Sequence, residues 1–442
     1  MHVLASLVVL TAALTAALPA AAQSVGVFRT ASGARAATVA GADSALGSTP
    51  LDALTFNPAG LAGVDQTQAA ITLGAASATG SFVNRVDGSG GLRNARGVVP
   101  EGAVAWKLSG RRPLVLGAAF NADGAIGGDW QYRDAPGIGG ASYGIQTHRS
   151  AITVARATVG AGLQLTRTVA VGASLSALRN DNELVAPYIF QSQAPLVGLK
   201  TLLSVDTGGW GWGGTVGVTA RPSERLAIGA SYRTSTSLTT RGSATGDVSV
   251  QLQGLGLAVP GAFTYDAAVA NRFPQQASLS ARGRVTTRLH LLGQVDWWDW
   301  SDAFRSLDIT LRNGSNATIN AVVGQSTIEE QVPLRWRDQI VRRVGAEYAY
   351  RPGLVLRGGY AYGGQVVPAD TLTPMTAAII AHTLGAGIGM DVASGTVDLA
   401  FQWSPTTTRA VTRSTLAGSG EYDGTRTGVG MRALSLGWTR RF

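Results

Sequence analysis

The chain has no cysteine, and only 14% of its 442 residues are Asp, Glu, Lys or Arg. The first absence removes disulfides and thiolate metal sites. The second leaves too little charge for an ordinary soluble protein, about a quarter of whose residues are charged, and mean hydropathy is +0.14. Beyond the N-terminus there is no uninterrupted apolar run of about 18 residues, so membrane-spanning helices are not expected. Histidine is scarce too: His148, His290 and His382 stand far apart after His2 leaves with a leader, which argues against a histidine metal site. No metal and no cofactor is expected. Basic residues outnumber acidic ones, 36 to 27, but they are nearly all single arginines with no basic run or recognition helix. Nucleic acid is therefore not an expected partner. Arginines spread in this way suit lipopolysaccharide phosphates on the outside or substrate carboxylates within.

What the chain does have is glycine, 58 residues of it, and apolar area that must face something other than water. In lipid every backbone polar group must be paired internally, which leaves closed strands where helices are ruled out. Period-2 alternation starts at Gln68, where Ala69, Ile71, Leu73 and Ala75 alternate with Ala70, Thr72 and Gly74. It recurs along the chain, for example at Val169 to Ala177, Ile340 to Tyr350, Leu354 to Tyr362 and Leu434 to Phe442. The candidates number about fifteen, whereas a single-chain bacterial barrel takes an even number. Phe304 to Leu311 is the weakest of them and reads as a continuation of the preceding strand past a bend. Short turns at Arg111 to Pro113, Arg221 to Arg225 and Arg351 to Gly353 contrast with long connections at Asn121 to Ser150, Arg179 to Trp210 and Thr236 to Asn271. Short periplasmic turns and long external loops are the barrel pattern. Aromatics at strand ends, among them Trp106, Trp130, Trp210, Trp212, Tyr348, Trp403 and Trp438, suit interfacial girdles. The fold class is thus all-β, a transmembrane antiparallel β-barrel.

Before Gln68 the regime differs. Val3 to Leu18 is an apolar core ended by Pro19, and Ala20-Ala21-Ala22 precedes Gln23 as a small-x-small cleavage site. Residues 1–22 read as a signal peptide, although Met1-His2 lacks the usual basic residue. From 23 to 66 no period of 2 is sustained, and Gly33 to Ala45 suits a short small-residue helix. Leu51 to Asp65 reads LDALTFNPAGLAGVD; its Asn57-Pro58 is a turn signal, and Ala59-Gly60 leaves no bulk to oppose close packing. That is a compact plug element or a tight loop.

Asn57-Pro58-Ala59-Gly60-Leu61-Ala62, just before the first strand, resembles the FadL-type outer-membrane transporters of long-chain fatty acids and other hydrophobic compounds. A longer stretch carries the same resemblance. Phe273-Pro274-Gln275-Gln276 leads to the Trp297-Trp298-Asp299-Trp300-Ser301 block and Phe304, then to Trp336-Arg337-Asp338, Gly345-Ala346-Glu347-Tyr348 and Leu356-Arg357-Gly358-Gly359-Tyr360. Where the family often has Asp-Arg-His before a late strand, this chain has Ile380-Ala381-His382. The resemblance implies about fourteen strands, with residues 67–442 as the barrel and 23–66 as a hatch inside it, gated at Asn57, Pro58, Ala59 and Gly60. It implies a monomeric importer in the outer membrane of a Gram-negative bacterium, with a long-chain fatty acid or hydrophobic small molecule as cargo. Phe442 resembles the terminal aromatic by which such chains engage the barrel-assembly machinery.

Candidate ligand contacts are Leu252, Leu255, Leu257, Val259 and Phe263 of the most hydrophobic loop, whose burial could hold an acyl chain. Arg156, Arg282 and Arg357, on the small-residue face of strands, could meet a carboxylate. Asp296, Asp299 and Asp302 lack the oxygen spacing of a calcium loop, and their tryptophan-rich block reads as a barrel rim. Gly140-Ala141-Ser142-Tyr143-Gly144 matches a nucleophile elbow, so an outer-membrane esterase or lipase using Ser142 and His148 is one alternative. A general diffusion porin is another, disfavoured because few charges are available to cluster. Gly209-x-Gly211-x-x-Gly214 is a chance match in so glycine-rich a chain.

Overall fold

The computed structural model describes residues 31–108, 114–418 and 420–442. The expected signal peptide, the first residues of the expected hatch and the Arg111-Arg112-Pro113 turn lie outside the described residues. The strand segments are β1 (Gln68–Asn84), β2 (Gly88–Arg93), β3 (Arg96–Leu108), β4 (Leu114–Arg133), β5 (Ile145–Gln164), β6 (Val169–Ile189), β7 (Lys200–Ser223), β8 (Leu226–Arg233), β9 (Thr236–Asp247) and β10 (Ala262–Phe273). They continue with β11 (Gln276–Arg284), β12 (Leu289–Trp298), β13 (Ser306–Arg312), β14 (Ile328–Pro333), β15 (Gln339–Arg351), β16 (Leu354–Gly363), β17 (His382–Val392), β18 (Gly395–Ala410) and β19 (Arg426–Arg441).

These nineteen segments make a closed antiparallel barrel of fourteen strands. Five strands are each broken in two, as β2 and β3 show by pairing with the same neighbours β1 and β4 on either side of Asn94-Ala95. The other pairs are β8 with β9, β10 with β11, β12 with β13, and β14 with β15. Closure runs from Gln68 paired with Arg441 to Val83 paired with Arg426. The segment expected at Phe304 to Leu311 is β13, and it does extend β12 past a bend, a one-turn helix at Trp300–Ala303.

Alternation assigns the two faces. On β1, Ile71 and Leu73 are 55% and 58% exposed while Thr72 between them is 8% exposed, so the apolar side chains point to lipid and the polar one points inward. Exposed Leu, Val and aromatic residues recur on every outer face, Val159, Leu175, Val216, Val344, Leu434 and Leu436 among them.

Two sequence expectations need correction. The three long connections are mostly strand: β4 runs on to Arg133, β6 to Ile189, and β9 and β10 occupy much of the third, which leaves residues 134–144, 190–199 and 248–261 between strands. Beyond the lipid band the outer face meets water while the inner face packs on the lumen, so the pairing continues with the polar residues outward, as Thr264 and Asp266 alternate with buried Phe263, Tyr265 and Ala267 on β10. The tryptophan-rich block is not a rim of exposed indoles either. Trp298 and Trp300 are buried, as is Trp130, whereas Trp210, Trp212, Trp403 and Trp438 do point outward.

Inside the barrel lies the chain from Ser32 to Val64. Short helices at Ala34–Thr38 and Pro50–Thr55, with 3-10 turns at Ser44–Leu46 and Pro58–Gly63, touch wall strands around the whole ring. The first meets β16 to β19 and β1, the second helix β1 and β3 to β5, and the two turns β8 and β11, and β4 to β7. The approach is close because the inner wall has glycine there. A Cβ at Gly172 would overlap the Ala59 amide, and one at Gly217 would occupy the place of Asn57 Oδ1. Valine at either site should cost about 1–3 kcal/mol through overpacking and dislodge the segment. The expected outcome is new proteolytic cleavage within residues 32–64 of a still heat-modifiable barrel, and no such cleavage for Gly214→Ala, where a Cβ meets nothing nearer than 3.5 Å.

Candidate functional site: a lumenal cavity above a plugged floor

A cavity of about 160 Å³ lies among the inner faces of β4 to β7, β10, β13 and β14, beneath the loop residues Thr371, Thr373, Met375 and Leu416. Its wall is apolar, built largely from Ile126, Ile152, Val269, Leu307, Ile309 and Val332. None of the residues lining it is lysine or arginine, and Glu183 is its one acid. The polar groups at its edge are already satisfied. Asn182 Nδ2 donates to Thr240 Oγ1 at 2.9 Å and Asn271 Oδ1 at 3.2 Å, and Tyr188 Oη donates to Glu330 Oε1 at 2.7 Å. Arg149, the cation bonded to Glu183 at 2.9 Å, also holds Asp129 at 3.3 Å.

Toward the short-turn end the cavity rests on an aromatic layer. Phe304 and Trp336 line it and stack with ring centroids 4.6 Å apart, while Trp300 packs edge-on to both. Trp298 lies parallel to Trp300 at 6.1 Å. One step further along β12 and β15, Asp296 and Arg343 form a buried pair at 2.7 Å, and Arg343 Nη1 donates to Ala40 O at 2.8 Å. The N-terminal segment begins there.

Its fastening to the wall is polar. Asn57 is fully buried: its side-chain oxygen accepts from the Ala59 amide at 3.0 Å, and its Nδ2 faces three carbonyls, Ala45 O at 2.6 Å, Val218 O at 3.1 Å and Ala230 O at 3.2 Å. Pro58 opens the following 3-10 turn, where its missing N–H costs nothing. Gly60 lies backbone against backbone on Gly47, so neither position has room for a Cβ. Glu101 accepts from Ser32 Oγ at 2.8 Å and Gly33 N at 2.9 Å, Gln294 Oε1 accepts from Ala45 N at 2.9 Å, and Arg233 donates to Thr55 O. Glu347 on the wall is shared by three arginines: Arg35 of the segment at 2.7 Å, Arg282 at 2.7 Å and Arg357 at 2.9 Å.

The other residues singled out from the sequence fall in separate places. Leu255, Leu257 and Val259 are exposed on the 248–261 connection, whereas Phe263 is buried in an apolar cluster with Tyr188, Leu203 and Ile309 against which Leu252 packs. Arg156 is buried on Asp123 at 2.6 Å, and Arg357 also reaches Asp398 at 2.6 Å. All three candidate arginines thus have carboxylate partners. Reasoning from sequence named Asp296 and Glu347 only within motifs, gave neither an interior partner, and did not single out Arg35, Glu101 or Arg343. The available signal was charge at inward positions of otherwise apolar strands, as Arg343 stands between Val341 and Gly345.

At the loop end a second polar cluster closes over the lumen. Lys200 Nζ, buried, bonds Asp134 Oδ1 and Glu421 Oε2 at 2.8 Å each and Ala135 O at 2.6 Å. Asp87 is buried beside them, and burial, reinforced by the Glu421 and Asp134 carboxylates and opposed by Lys200, pushes its carboxyl up to about 8. Ser142 Oγ donates to Asp134 O at 2.7 Å and accepts from Gly144 N at 3.0 Å, and the His148 ring is stacked on Tyr132 with neither nitrogen bonded to Ser142. The serine therefore serves a loop turn.

A family model described as outer membrane protein transport protein (OMPP1/FadL/TodX) matches residues 7–442. Among solved structures, a Pseudomonas aeruginosa FadL homologue is 17% identical over 95% of this chain and 100% of its own, with a TM-score of 0.72. The Ralstonia pickettii toluene transporter TbuX is 18% identical over 94% and 99%, with a TM-score of 0.69. The Pseudomonas putida toluene transporter TodX is 17% identical over 96% and 99%, at 0.68. No curated protein matches the chain.

Arg343→Met strands the Asp296 carboxylate in the wall, and the loss should be about 3–5 kcal/mol, read as a lower unfolding midpoint. Restoring neutrality with Asp296→Leu in the same chain should recover most of it. The loop cluster has its own pH signature. Because the Asp87 carboxyl is raised above its unfolded value of about 3.9, its contribution is complete below that pH and is lost as pH climbs through about 8. Once the intrinsic base-catalysed rate is divided out, hydrogen exchange at residues 85–92 should therefore report easier opening across that window, and Asp87→Asn should flatten this residual dependence.

Proposed function

The chain belongs to the OMPP1/FadL/TodX family of outer membrane transport proteins, and from that premise we propose that it imports compact, uncharged hydrophobic molecules. The observation carrying this reading is the cavity of about 160 Å³, apolar-walled and with no basic residue in its lining. A cavity of about 150 Å³ lined by Leu, Ile and Phe stays dry and takes up benzene, so one aromatic ring matches the available space. A fatty acid would bring a carboxylate toward Glu183, while Arg149 is already held by two carboxylates. Two of the related structures carry toluene in their descriptions, which agrees with this cargo class.

On this reading residues 23–66 are the hatch, and Asn57, Pro58, Ala59 and Gly60 form its seat on β6 to β8. Cargo enters from the loop side, rests in the cavity above the aromatic layer, and passes when the hatch leaves its seat. Burial supplies the affinity, at about 25 cal/mol per Å² of apolar surface. Polar crevices of about 190 and 290 Å³ flank Ser48 to Pro50 between hatch and wall on the short-turn side, and this loose packing supports a displacement that begins there. The chain works in the outer membrane of a Gram-negative cell after removal of residues 1–22, and Phe442, exposed at the end of β19, is available to the assembly machinery.

Cells lacking their own importers should take up labelled toluene when they express this chain, and oleate no faster than controls. Ile309→Glu, which puts a charge into the cavity wall, should lower toluene uptake at least tenfold. Oleate uptake at a rate comparable to that of toluene would overturn the cargo class.

A further inference from the structure

The outer face holds a feature that import does not use. On β1 the outward positions change from large to small: Leu73 is followed by Ala75 and Ser77. Register sets the neighbours of each. Ala75 is opposite Val98 on β3 and Leu434 on β19, and Ser77 is opposite Arg96 on β3 and Arg432 on β19. The result is a furrow of about 490 Å³ with Val98, Leu434 and Phe401 at its sides and the two arginines at its loop end. Both arginines are exposed, no acidic residue lines the furrow, and neither arginine forms an ion pair with any described residue. Two other outward arginines, Arg179 and Arg272, are instead neutralised by Asp181 and Asp302.

The height of the pair is set by the aromatic residues. Arg432 is directly opposite Trp403, an outward indole of the loop-side girdle. Along β19 it stands six residues from the outward Trp438, about 20 Å of strand at 3.4 Å per residue and ~15 Å of height at a tilt of ~40°, so the pair lies well above the short-turn girdle. Arg96 and Arg432 are two strand spacings apart, about 10 Å between backbones, so both guanidiniums can converge over the short Ser77 side chain.

We propose that this furrow binds a phosphorylated glycolipid of the outer leaflet, with one lipid A phosphate held between Arg96 and Arg432 and an acyl chain lying over Ala75 between Val98 and Leu434. Arginine presents paired donors that match phosphate geometry, and an apolar trough meeting paired cations at headgroup depth complements a lipid with a charged head. This site is independent of the cargo and of the hatch.

The test uses the full chain, delipidated in detergent, and a fluorescent diphosphoryl lipid A. The unaltered protein should bind it at least tenfold more tightly than Arg96→Gln/Arg432→Gln, each single variant should fall between, and Arg179→Gln should bind like the unaltered protein. Heat-modifiable migration of every variant checks that the barrel is folded. Equal affinity for the double variant would overturn the site. Phosphatidylglycerol bound as tightly as lipid A would overturn the identity of the lipid.

Discussion

The interior of this barrel depends on one constraint: an irregular segment of backbone occupies a lumen where its polar groups must be satisfied by the wall. Between Ser32 and Val64 the helices are too short to pair their own ends, so orphaned amides and carbonyls reach outward. Gly33 N goes to Glu101, Ala45 N to Gln294, Ala40 O to Arg343 and Thr55 O to Arg233. Inward-facing polar residues on the strands are the necessary counterpart of the segment. Glycines such as Gly172 and Gly217 let the partners come close enough to bond. Hydrogen bonds to charged groups contribute about 1.5–3 kcal/mol each, so the segment is well seated, yet no covalent cross-link holds it in a chain without cysteine.

The same constraint orders the rest of the lumen. Charge is concentrated at the level of the segment, where Glu347 collects Arg35, Arg282 and Arg357. Above it the Arg343–Asp296 pair is capped by Trp298, Trp300, Trp336 and Phe304, and above these the wall becomes apolar. The lumen thus grades from apolar surface beneath the loops to polar fastening at the segment. The Lys200 cluster then ties the loops over the top.

Much of the barrel was legible because alternation is a local property. The outer face of β1, the β15 and β16 pair with its tight turn, and the continuation of β12 into β13 could all be read from residue order. The loop-side reaches of β4, β6, β7, β9 and β10 were not read, because outside lipid the outward positions are polar, as Ser204 and Asp206 on β7 and Thr264 and Asp266 on β10 are, and no apolar outer face marks the strand. The Asn57 seat was visible as a turn signal, but its partners Val218 and Ala230 lie over 160 residues away in sequence. Trp300 read as interfacial because composition does not say which side of a strand break an indole takes; the one-turn helix at Trp300–Ala303 turns it inward. The cavity was invisible for a related reason, since Ile126, Val269, Ile309 and Val332 come from four different strands.

The proposal that passage requires the N-terminal segment to leave its seat can be measured cleanly, because the chain has no native cysteine. A Cβ built at Gly345 on β15 would lie 3.2 Å from the Ala42 Cβ of the segment, near the disulfide range of about 3.5–4.5 Å. In the Ala42→Cys/Gly345→Cys chain, toluene uptake should stop when the bond is oxidised and return when it is reduced. Uptake that proceeds unchanged through the oxidised, tethered protein would contradict the account.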